Sequence, residues 1–469
     1  MKLYFWATIM LIEKFLLRRS TGQAICRFAE RMGVVYVKMA QILAMQNYGD
    51  IFTEADRVAL SQICDDCKTI PYRKIRRLLE QEYHCKLEQK FRTVDPQPLG
   101  AASISQVHRA VLLDGREVAV KIKRQDIAAR VTHDTKQIQR IIKRFGRLAK
   151  FKNFLGSDVA LDLWASWILE ETDFVNEQRN IQRYREFEQS VNGTCRGAVK
   201  LTMPELYEEF CTDNVIVMEL IKTPTVNRLN LTEANKARIK TAANDYLCLS
   251  FYAMFHNMPV VFHGDPHSGN IYLDEQGNMG FLDMGLTFEL TVEEVQFARK
   301  LFLMAYTGRG KELAELLIET SVHGRVDQAT FVQEIQAEAK RVQHVPVTQF
   351  FVEMMNIFTK YNISPPIVFF KMAKAFLALF GINNFVGNFA DTKSLLLAQI
   401  TEFYIQDTLD EAGNILQGGL SLLPNLLQSS LENGLVGGLA AQTGAIDDLH
   451  QRLTHLMNNC HDLVSMVRF

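Results

Sequence analysis

The chain lacks an excess of charge of either sign. Its 52 lysines and arginines are balanced by 53 aspartates and glutamates, which leaves a formal net charge of −1 over 469 residues. A nucleic-acid-binding protein usually shows a basic excess clustered on one face. The composition therefore argues against a nucleic-acid partner. Because 48% of the residues are hydrophobic, the chain can bury a sizeable core.

Paired cysteines are also scarce. There are eight cysteines, and only Cys64 and Cys67 form a CxxC motif. No second Cys/His pair follows at the spacing of a zinc site. We expect these two thiols to lie on one helix, without a metal or redox role. Reduced thiols indicate a reducing compartment, and hence a cytoplasmic protein.

A long uninterrupted hydrophobic run is missing as well. The apolar stretch 1–12 is too short to span a bilayer and lacks a secretory cleavage site, so we expect a docking helix. Residues 412–431 carry no charge, but Pro424 and several glycines interrupt them. Two alternatives remain for this tail, a helix packed on the body and an amphipathic segment on a membrane surface. The second would place the protein peripherally on the inner face of the cell membrane.

Helical and strand-like patterns alternate along the chain. Residues 1 to about 90 show apolar residues at three- and four-residue spacing, which is typical of helices. Strands are predicted at 103–112, 117–123, 198–206 and 214–220. Asp114-Gly115 separates the first two and is a hairpin turn signal. The rest is mainly helical, except for 259–286, where 271–273 is expected to pair with 279–282.

Three polar residues have the spacing of a phosphate-transfer site. Asp265 and Asn270 lie five positions apart in one loop, and Asp283 follows a short apolar strand. In phosphoryl transfer one carboxylate orients the nucleophile, while a second carboxylate and an amide oxygen hold Mg²⁺ against the phosphates. We therefore predict that Asp265 is catalytic and that Asn270 and Asp283 are metal ligands. An ordinary turn rich in Asp, Asn and Gly is the alternative interpretation.

The order of other motifs favours the same chemistry. Lys121 ends the apolar run Val118-Ala119-Val120, from which a lysine can reach the α- and β-phosphates of a nucleotide. A lone strand-end lysine is more often simply solvated. Here, however, the lysine strand is followed by an acidic helix, a buried strand ending at Glu219, the Asp/Asn loop and Asp-x-Gly. We therefore predict that Glu219 also lies at the nucleotide site.

The glycine-rich loop of a protein kinase is absent before Lys121. The corresponding segment contains Ala101, Ala102 and Ser103. Methyl groups limit how closely a backbone can approach a phosphate. We expect these three residues to contact the nucleotide and to alter how it binds.

Taken together, these motifs resemble the UbiB/AarF atypical kinases, a protein-kinase-like family linked to coenzyme Q biosynthesis. The family's alanine-rich loop with Gln-Val-His is similar to 101–108, and its invariant lysine to Lys121. Its His-x-Asp-Pro-His-x-Gly-Asn is similar to 263–270, and its Asp-Phe-Gly to 283–285. The resemblance extends from about residue 33 to 286, and more loosely to about 385.

The resemblance implies an α+β, bilobal protein-kinase-like fold with a small antiparallel β-sheet N-lobe, a helical C-lobe and an N-terminal helical extension that caps the active site. The expected boundaries are 1–95 for the extension, 96–222 for the N-lobe with long inserted helices, 223–400 for the C-lobe and 401–469 for a helical tail.

The resemblance also implies residue roles. Glu177 is expected to pair with Lys121. Lys38-Met39-Ala40-Gln41 is similar to the family's Lys-x-Gly-Gln motif, and Glu171-Thr172-Asp173 to its Glu-x-Asp motif. Lys38 is expected to pair with Glu171. With Gln41 and Asp173, these residues would form a lid where a protein substrate would otherwise bind.

Three departures from the family pattern are visible. Ala40 replaces a glycine, Ser268 a usual proline, and Met284 a usual phenylalanine. None of them removes a charged group, so we expect the lysine and metal sites to be intact. His108 and His267 are expected to be hydrogen-bonded loop anchors.

Two function hypotheses of different classes follow. The first is an enzyme that binds ATP or ADP with Mg²⁺ and hydrolyses ATP or phosphorylates a small or lipid substrate, in ubiquinone or other isoprenoid lipid metabolism. The second is a nucleotide-gated chaperone or scaffold whose partners are an isoprenoid lipid, a membrane surface, biosynthetic-complex proteins or a second copy of the chain. A small-molecule kinase of the aminoglycoside or choline type is a third reading, and segments 38–41 and 171–173 argue against it.

Overall fold

The chain folds into two lobes and an N-terminal helical extension. The computed structural model describes residues 20–45, 53, 56, 69–145, 158–192, 200–256, 258–323, 327–342, 347–361, 363–382, 386–387, 398, 400–401 and 451–453. The predicted docking helix 1–12, the CxxC motif and nearly all of the tail lie outside these residues.

The extension and N-lobe contain six α-helices and five strands in the described part of the chain. Their bounds are α1 (Thr21–Met32), α2 (Val34–Met45), α3 (Tyr72–Tyr83), β1 (Phe91–Ala101), β2 (Ser105–Leu112), β3 (Glu117–Lys123), α4 (Ile127–Phe145), α5 (Asp158–Glu170), α6 (Phe174–Val191), β4 (Leu201–Thr202) and β5 (Val215–Glu219).

The N-lobe sheet has the strand order β1-β2-β3-β5, and every neighbouring pair is antiparallel. The predicted hairpin between β2 and β3 is confirmed, and Gly115 at its turn has φ +96°, a conformation that favours glycine. β1 was not predicted. Its two prolines suggest a loop, but Phe91 and Val94 are buried, and the pairing with β2 shifts register between Val94 and Pro98.

The C-lobe is mainly helical. Its elements are α7 (Glu233–Phe255), β6 (Val260–His263), β7 (Ile271–Leu273), β8 (Met279–Phe281), β9 (Thr287–Leu290), α8 (Val292–Tyr306), α9 (Gly310–Thr320), β10 (Val322–His323), α10 (Gln328–Val342), α11 (Val347–Tyr361), β11 (Ile363–Ser364) and α12 (Ile367–Phe380).

Two small antiparallel pairings in the C-lobe bring its polar loops together. β7 pairs with β8, as predicted, and β6 pairs with β9, with His263 opposite Thr287. The loop from β6 to β7 and the loop from β8 to β9 therefore begin and end on paired strands. β4 joins this arrangement by pairing in parallel with β8. Since Asp265 and Asn270 lie in the first loop and Asp283 in the second, strand pairing makes these loops neighbours.

Two apolar clusters cover the two faces of the N-lobe sheet. The smaller one joins Ile75 and Leu79 of α3 to Phe91, Val118 and Val217 of the sheet. The larger one runs from α1 and α2 through α6 into the C-lobe helices. The α+β, bilobal kinase-like fold with a helical extension is thus confirmed. Among the described residues, no helix is both long and apolar enough to cross a membrane.

Candidate active site

A buried ion-pair triad links the two lobes. Lys121, near the end of β3, places Nζ 2.6 Å from Glu177 Oε1 on α6 and 3.0 Å from Asp283 Oδ2 in the loop after β8. The Lys121 and Glu177 side chains are only 5% and 1% exposed, whereas Asp283 is 39% exposed. The triad is therefore shielded from solvent on the side of α6 and accessible to solvent at Asp283.

The electrostatics of the triad follow from burial and mutual charge. Burial alone would lower the pKa of Lys121, but the Asp283 and Glu177 carboxylates raise it above its ordinary value. Burial opposes ionisation of Asp283, yet Lys121 and the Gly285 N–H lower its pKa to about 2. Burial raises the pKa of Glu177 to about 7. Lys121 and Asp283 are therefore charged at neutral pH.

Helix α6 fixes the loop that carries Asp283. The backbone N–H of Met284 donates to Glu177 Oε1 at 3.2 Å, and Asn180 Nδ2 donates to Met284 O at 3.0 Å. Gly285 N–H donates to Asp283 Oδ1 at 3.0 Å. Glu177 therefore binds both the lysine and the backbone of the Asp-x-Gly loop.

The loop between β6 and β7 is built from short local hydrogen bonds. His263 is 1% exposed, and its Nδ1 accepts the Asp265 N–H at 3.0 Å. Burial lowers the pKa of His263 to about 4, so its ring is neutral near pH 7. His267 Nδ1 accepts the Gly269 N–H at 3.1 Å, so His267 anchors the loop as expected.

Asn270 and Asp283 are brought close by a backbone contact between their loops. The N–H of Leu282 donates to Asn270 O at 2.9 Å. Asn270 Nδ2 donates to Asp265 O at 3.4 Å, which leaves its Oδ1 as the side-chain acceptor atom.

An amide oxygen and a carboxylate are the hard ligands that Mg²⁺ prefers, with phosphates and water completing the octahedron. The residues fit such an ion. Within the described ranges, no group of three or more His, Cys, Asp or Glu side chains offers a cage built by the protein alone.

The extension reaches this site through Lys38 on α2. Its Nζ lies 2.9 Å from Asp265 Oδ2 and 3.1 Å from Glu171 Oε2, and its side chain is 12% exposed. The expected Lys38–Glu171 pair is present, and the contact with Asp265 adds to it. Gln41 lies one turn further along α2, and its side chain is outside the described residues.

A second lysine, which we did not predict, contacts Asp265. Lys374 on α12 donates to Gly264 O at 2.8 Å, and its Nζ lies 3.5 Å from Asp265 Oδ1. Burial opposes ionisation of Asp265, but Lys374 and Lys38 together hold its pKa well below its usual range. Burial also opposes ionisation of Glu171, and there it outweighs the Lys38 ammonium, so the pKa of Glu171 is raised. Nothing in the sequence indicated the Lys374 contact, because Lys374 lies more than a hundred positions from Asp265 and belongs to no recognisable motif.

Two predicted site residues have local roles in the structure. Asp173 is exposed and caps α6, since its Oδ1 accepts the N–H groups of Val175 and Asn176 at 3.0 and 3.1 Å. Glu219 closes β5, and its Oε2 accepts the Glu205 N–H at 3.3 Å. Neither contact is with Lys38, Lys121 or Asp265.

The alanine-rich segment forms a tight connection between β1 and β2. Ala101 is the last residue of β1, Ala102 N–H donates to Ser105 O at 2.9 Å, and Ser103 is buried. Arg124, also missed by the prediction, donates from Nε to Ala102 O at 2.8 Å. Arg124, directly after the strand that carries Lys121, therefore binds the backbone of this connection.

The Gln-Val-His motif links the connection between β1 and β2 to the extension. Gln106 accepts the Ile70 N–H at 2.7 Å and donates to Ile70 O at 3.1 Å. Its Nε2 lies 2.8 Å from His108 Nε2, and His108 Nδ1 lies 2.7 Å from Asp95 O. Burial lowers the pKa of His108. A neutral ring protonated at Nδ1 satisfies both contacts, so His108 is an anchor, as expected.

The fold and the site define a kinase-like protein with a buried lysine–glutamate pair and a capping extension. The ABC1 atypical kinase-like domain matches residues 62–317, which is more than half of the chain. The chain belongs to this family.

The chain is similar to proteins from a plant, a bacterium and a yeast. The chloroplastic ACTIVITY OF BC1 COMPLEX KINASE 7 of Arabidopsis thaliana is 26% identical over 64% of this chain and 42% of its own length. The probable protein kinase UbiB of Erwinia tasmaniensis is 27% identical over 67% and 56%. An ABC1 family protein of Schizosaccharomyces pombe is 29% identical over 64% and 55%. The chain thus spans about half the length of these relatives.

A solved structure of Rv3197 with erythromycin, from Mycobacterium tuberculosis, is 20% identical. It covers 83% of this chain and 96% of its own, with a TM-score of 0.47.

Proposed function

We propose that the protein binds Mg²⁺–ATP in the cleft between its lobes and transfers the terminal phosphoryl group to water or to a small or lipid acceptor. The observation that supports this most strongly is the Lys121–Glu177–Asp283 triad, with Asn270 on the adjacent loop. In kinase-type transfer the lysine holds the α- and β-phosphates, and the glutamate holds the lysine.

Each residue then has a defined task. Asn270 Oδ1 and the Asp283 carboxylate would hold Mg²⁺, which neutralises charge on the phosphates. Asp265 would orient the attacking hydroxyl or water. Its very low pKa makes it a weak base, which suits a loose transition state that needs positioning more than proton removal. Lys38 covers this carboxylate in the structure, so an acceptor must enter beside or in place of the α2 lysine.

The lid favours a small acceptor over a protein. Lys38 contacts both Asp265 and Glu171, and Ala40 beside it on α2 is 1% exposed. A protein substrate would have to displace this packed helix. We therefore place ATP hydrolysis or transfer to a small or lipid molecule ahead of protein phosphorylation. From the resemblance to the UbiB/AarF kinases, we further propose a role in ubiquinone or other isoprenoid lipid metabolism, with lipid, membrane or biosynthetic-complex partners.

The direct test is phosphate release from Mg²⁺–ATP by purified wild-type protein and by the Asp283→Asn variant. The metal supplies several kcal/mol of transition-state stabilisation, and each factor of ten in rate corresponds to about 1.4 kcal/mol. We expect the variant to be slower by about a hundredfold or more. Glu289→Gln, which changes an exposed carboxylate on β9, is the matched control and should retain the wild-type rate. Equal rates for wild type and Asp283→Asn would refute the proposal.

One observation favours a second candidate, a nucleotide-gated scaffold with little phosphotransfer. Both oxygens of Asp265 already face ammonium groups, Oδ2 that of Lys38 and Oδ1 that of Lys374. A protein that binds Mg²⁺–ATP tightly but shows no turnover, with or without isoprenoid lipid, would support this candidate over the enzyme.

A further inference from the structure

Lys374 reaches the catalytic loop from outside the segment that matches the family domain. It lies on α12 (Ile367–Phe380), whereas the domain match ends at residue 317. Its Nζ contacts the loop twice, through the carbonyl of Gly264 at 2.8 Å and through Asp265 Oδ1 at 3.5 Å. Because these two partners are consecutive residues, the lysine fixes the backbone and the carboxylate of the same short segment.

The helix that carries Lys374 is held rigidly against the strand that leads into this loop. Phe376, two residues further on, is 2% exposed. Its ring centroid lies 5.6 Å from that of Phe262 on β6, and also 5.6 Å from those of Phe251 and Phe351. Aromatic contacts of this kind stabilise both partners beyond their buried area. β6 and α12 therefore form one packed unit, and the position of Lys374 relative to Asp265 is fixed by the core.

The two lysines at Asp265 differ in what carries them. Lys38 lies on the N-terminal extension and contacts Oδ2, while Lys374 lies in the C-lobe and contacts Oδ1. Any rearrangement of the extension that admits an acceptor would remove Lys38 from the carboxylate. Lys374 would remain, because it belongs to the same packed unit as β6.

We propose that Lys374 is the fixed cation of the phosphoryl-transfer site. It positions Asp265, and its positive charge reduces the repulsion between that carboxylate and the terminal phosphate of ATP. The inference rests on the proposed function and adds a residue to its site. An ammonium has three N–H donors, and one of them is donated to Gly264 O, while Asp265 Oδ1 lies at ion-pair distance. A remaining donor can point towards the transferred group, which must lie beside Asp265 for that residue to orient its nucleophile.

The experiment compares the affinity of Lys374→Met for a non-hydrolysable ATP analogue and for ADP, both with Mg²⁺, by calorimetry on the full chain. ADP lacks the terminal phosphate, so only the analogue places negative charge beside Asp265. The quantity compared is the ratio of the Kd for the analogue to the Kd for ADP. We expect this ratio to be about tenfold higher in the variant than in wild type, which corresponds to about 1.4 kcal/mol. Lys374→Arg, which keeps the charge, should restore most of this ratio.

Lys371→Met is the matched control. Lys371 lies one turn earlier on α12 and binds Glu294 at 2.7 Å instead of the loop, so its loss should leave the ratio unchanged. An equal weakening of both nucleotides with a lower melting temperature would show that Lys374 is only a structural tie and would overturn the proposal. An unchanged ratio in Lys374→Met would overturn it as well.

The wild-type data separate this inference from the proposed function. If wild type binds both nucleotides but releases no phosphate, the enzyme proposal fails, while the analogue-to-ADP ratio still decides the charge-offsetting role of Lys374. If wild type binds neither nucleotide, both proposals fail.

Discussion

At the scale of single residues, the site is organised by charge balance in a partly closed cleft. Four carboxylates, those of Glu171, Glu177, Asp265 and Asp283, meet the ammonium groups of three lysines among the described residues. Such a balance suits the arrival of Mg²⁺ together with a polyphosphate. Most of these residues were predictable, because they stand in short motifs. Lys374 was not, because a single lysine on a distant helix has no local pattern.

A buried neutral histidine at the start of the loop between β6 and β7 should make stability depend on pH. His263 has a pKa of about 4 in the folded chain, against about 6.5 when unfolded. The unfolded state therefore binds more protons between these values, so the stability that the neutral ring provides above pH 6.5 is lost as the pH falls towards 4. Between pH 7 and pH 5, we expect wild type to lose about 2 kcal/mol more than His263→Asn, whose amide can accept the Asp265 N–H. Urea unfolding at the two pH values measures this, and parallel losses in both proteins would contradict it.

At the scale of secondary-structure elements, short strands position the residues of the candidate site. The hairpins β2–β3 and β7–β8 were predictable because each is formed by a local turn between apolar runs. The parallel pairing of β4 with β8 was not, because it joins segments nearly eighty residues apart. Of the strand predicted at 198–206, residues 198 and 199 lie outside the described part of the chain. Within 200–206, Leu201–Thr202 forms β4, and Leu206 makes a single bridge to Met218.

Gly280, in the centre of β8, should be intolerant of any side chain. A Cβ there would lie 2.5 Å from Thr202 O on β4 and would also collide with the Tyr272 ring on β7. Overpacking of this kind typically costs about 1–3 kcal/mol. We expect Gly280→Ala to lower the free energy of unfolding by at least about 2 kcal/mol. It should also weaken Mg²⁺–nucleotide binding, because β8 leads directly to Asp283.

Gly100→Ala is a suitable stability control for that change. It makes the same substitution in β1, where a Cβ would meet nothing within 4 Å. Chemical denaturation should therefore show little change for Gly100→Ala. If Gly280→Ala were as stable as wild type, the close packing of β4, β7 and β8 would not be what fixes the Asp283 loop.

At the scale of the whole molecule, the extension is part of the core of the protein. Ala29, Val35 and Ala40 of the extension belong to the same apolar cluster as Phe262 and Phe376 of the C-lobe. Gln106 adds a polar tie between the N-lobe and Ile70. The bilobal class was predictable from the order of motifs along the chain. The way the extension closes over Asp265 required the structure, since apolar periodicity predicts a helix but not the surface on which it packs.

The central claim is that the two lobes form one Mg²⁺-dependent nucleotide site. The most direct measurement is the affinity of wild type and Asp283→Asn for ADP, with Mg²⁺ and with a chelator. We expect wild type to bind at least about tenfold more tightly with Mg²⁺, and Asp283→Asn to lose this difference, because the carboxylate of the proposed ligand pair is then replaced by a neutral amide. Affinities that do not respond to Mg²⁺ in wild type, or a Mg²⁺ effect that persists unchanged in Asp283→Asn, would contradict the account.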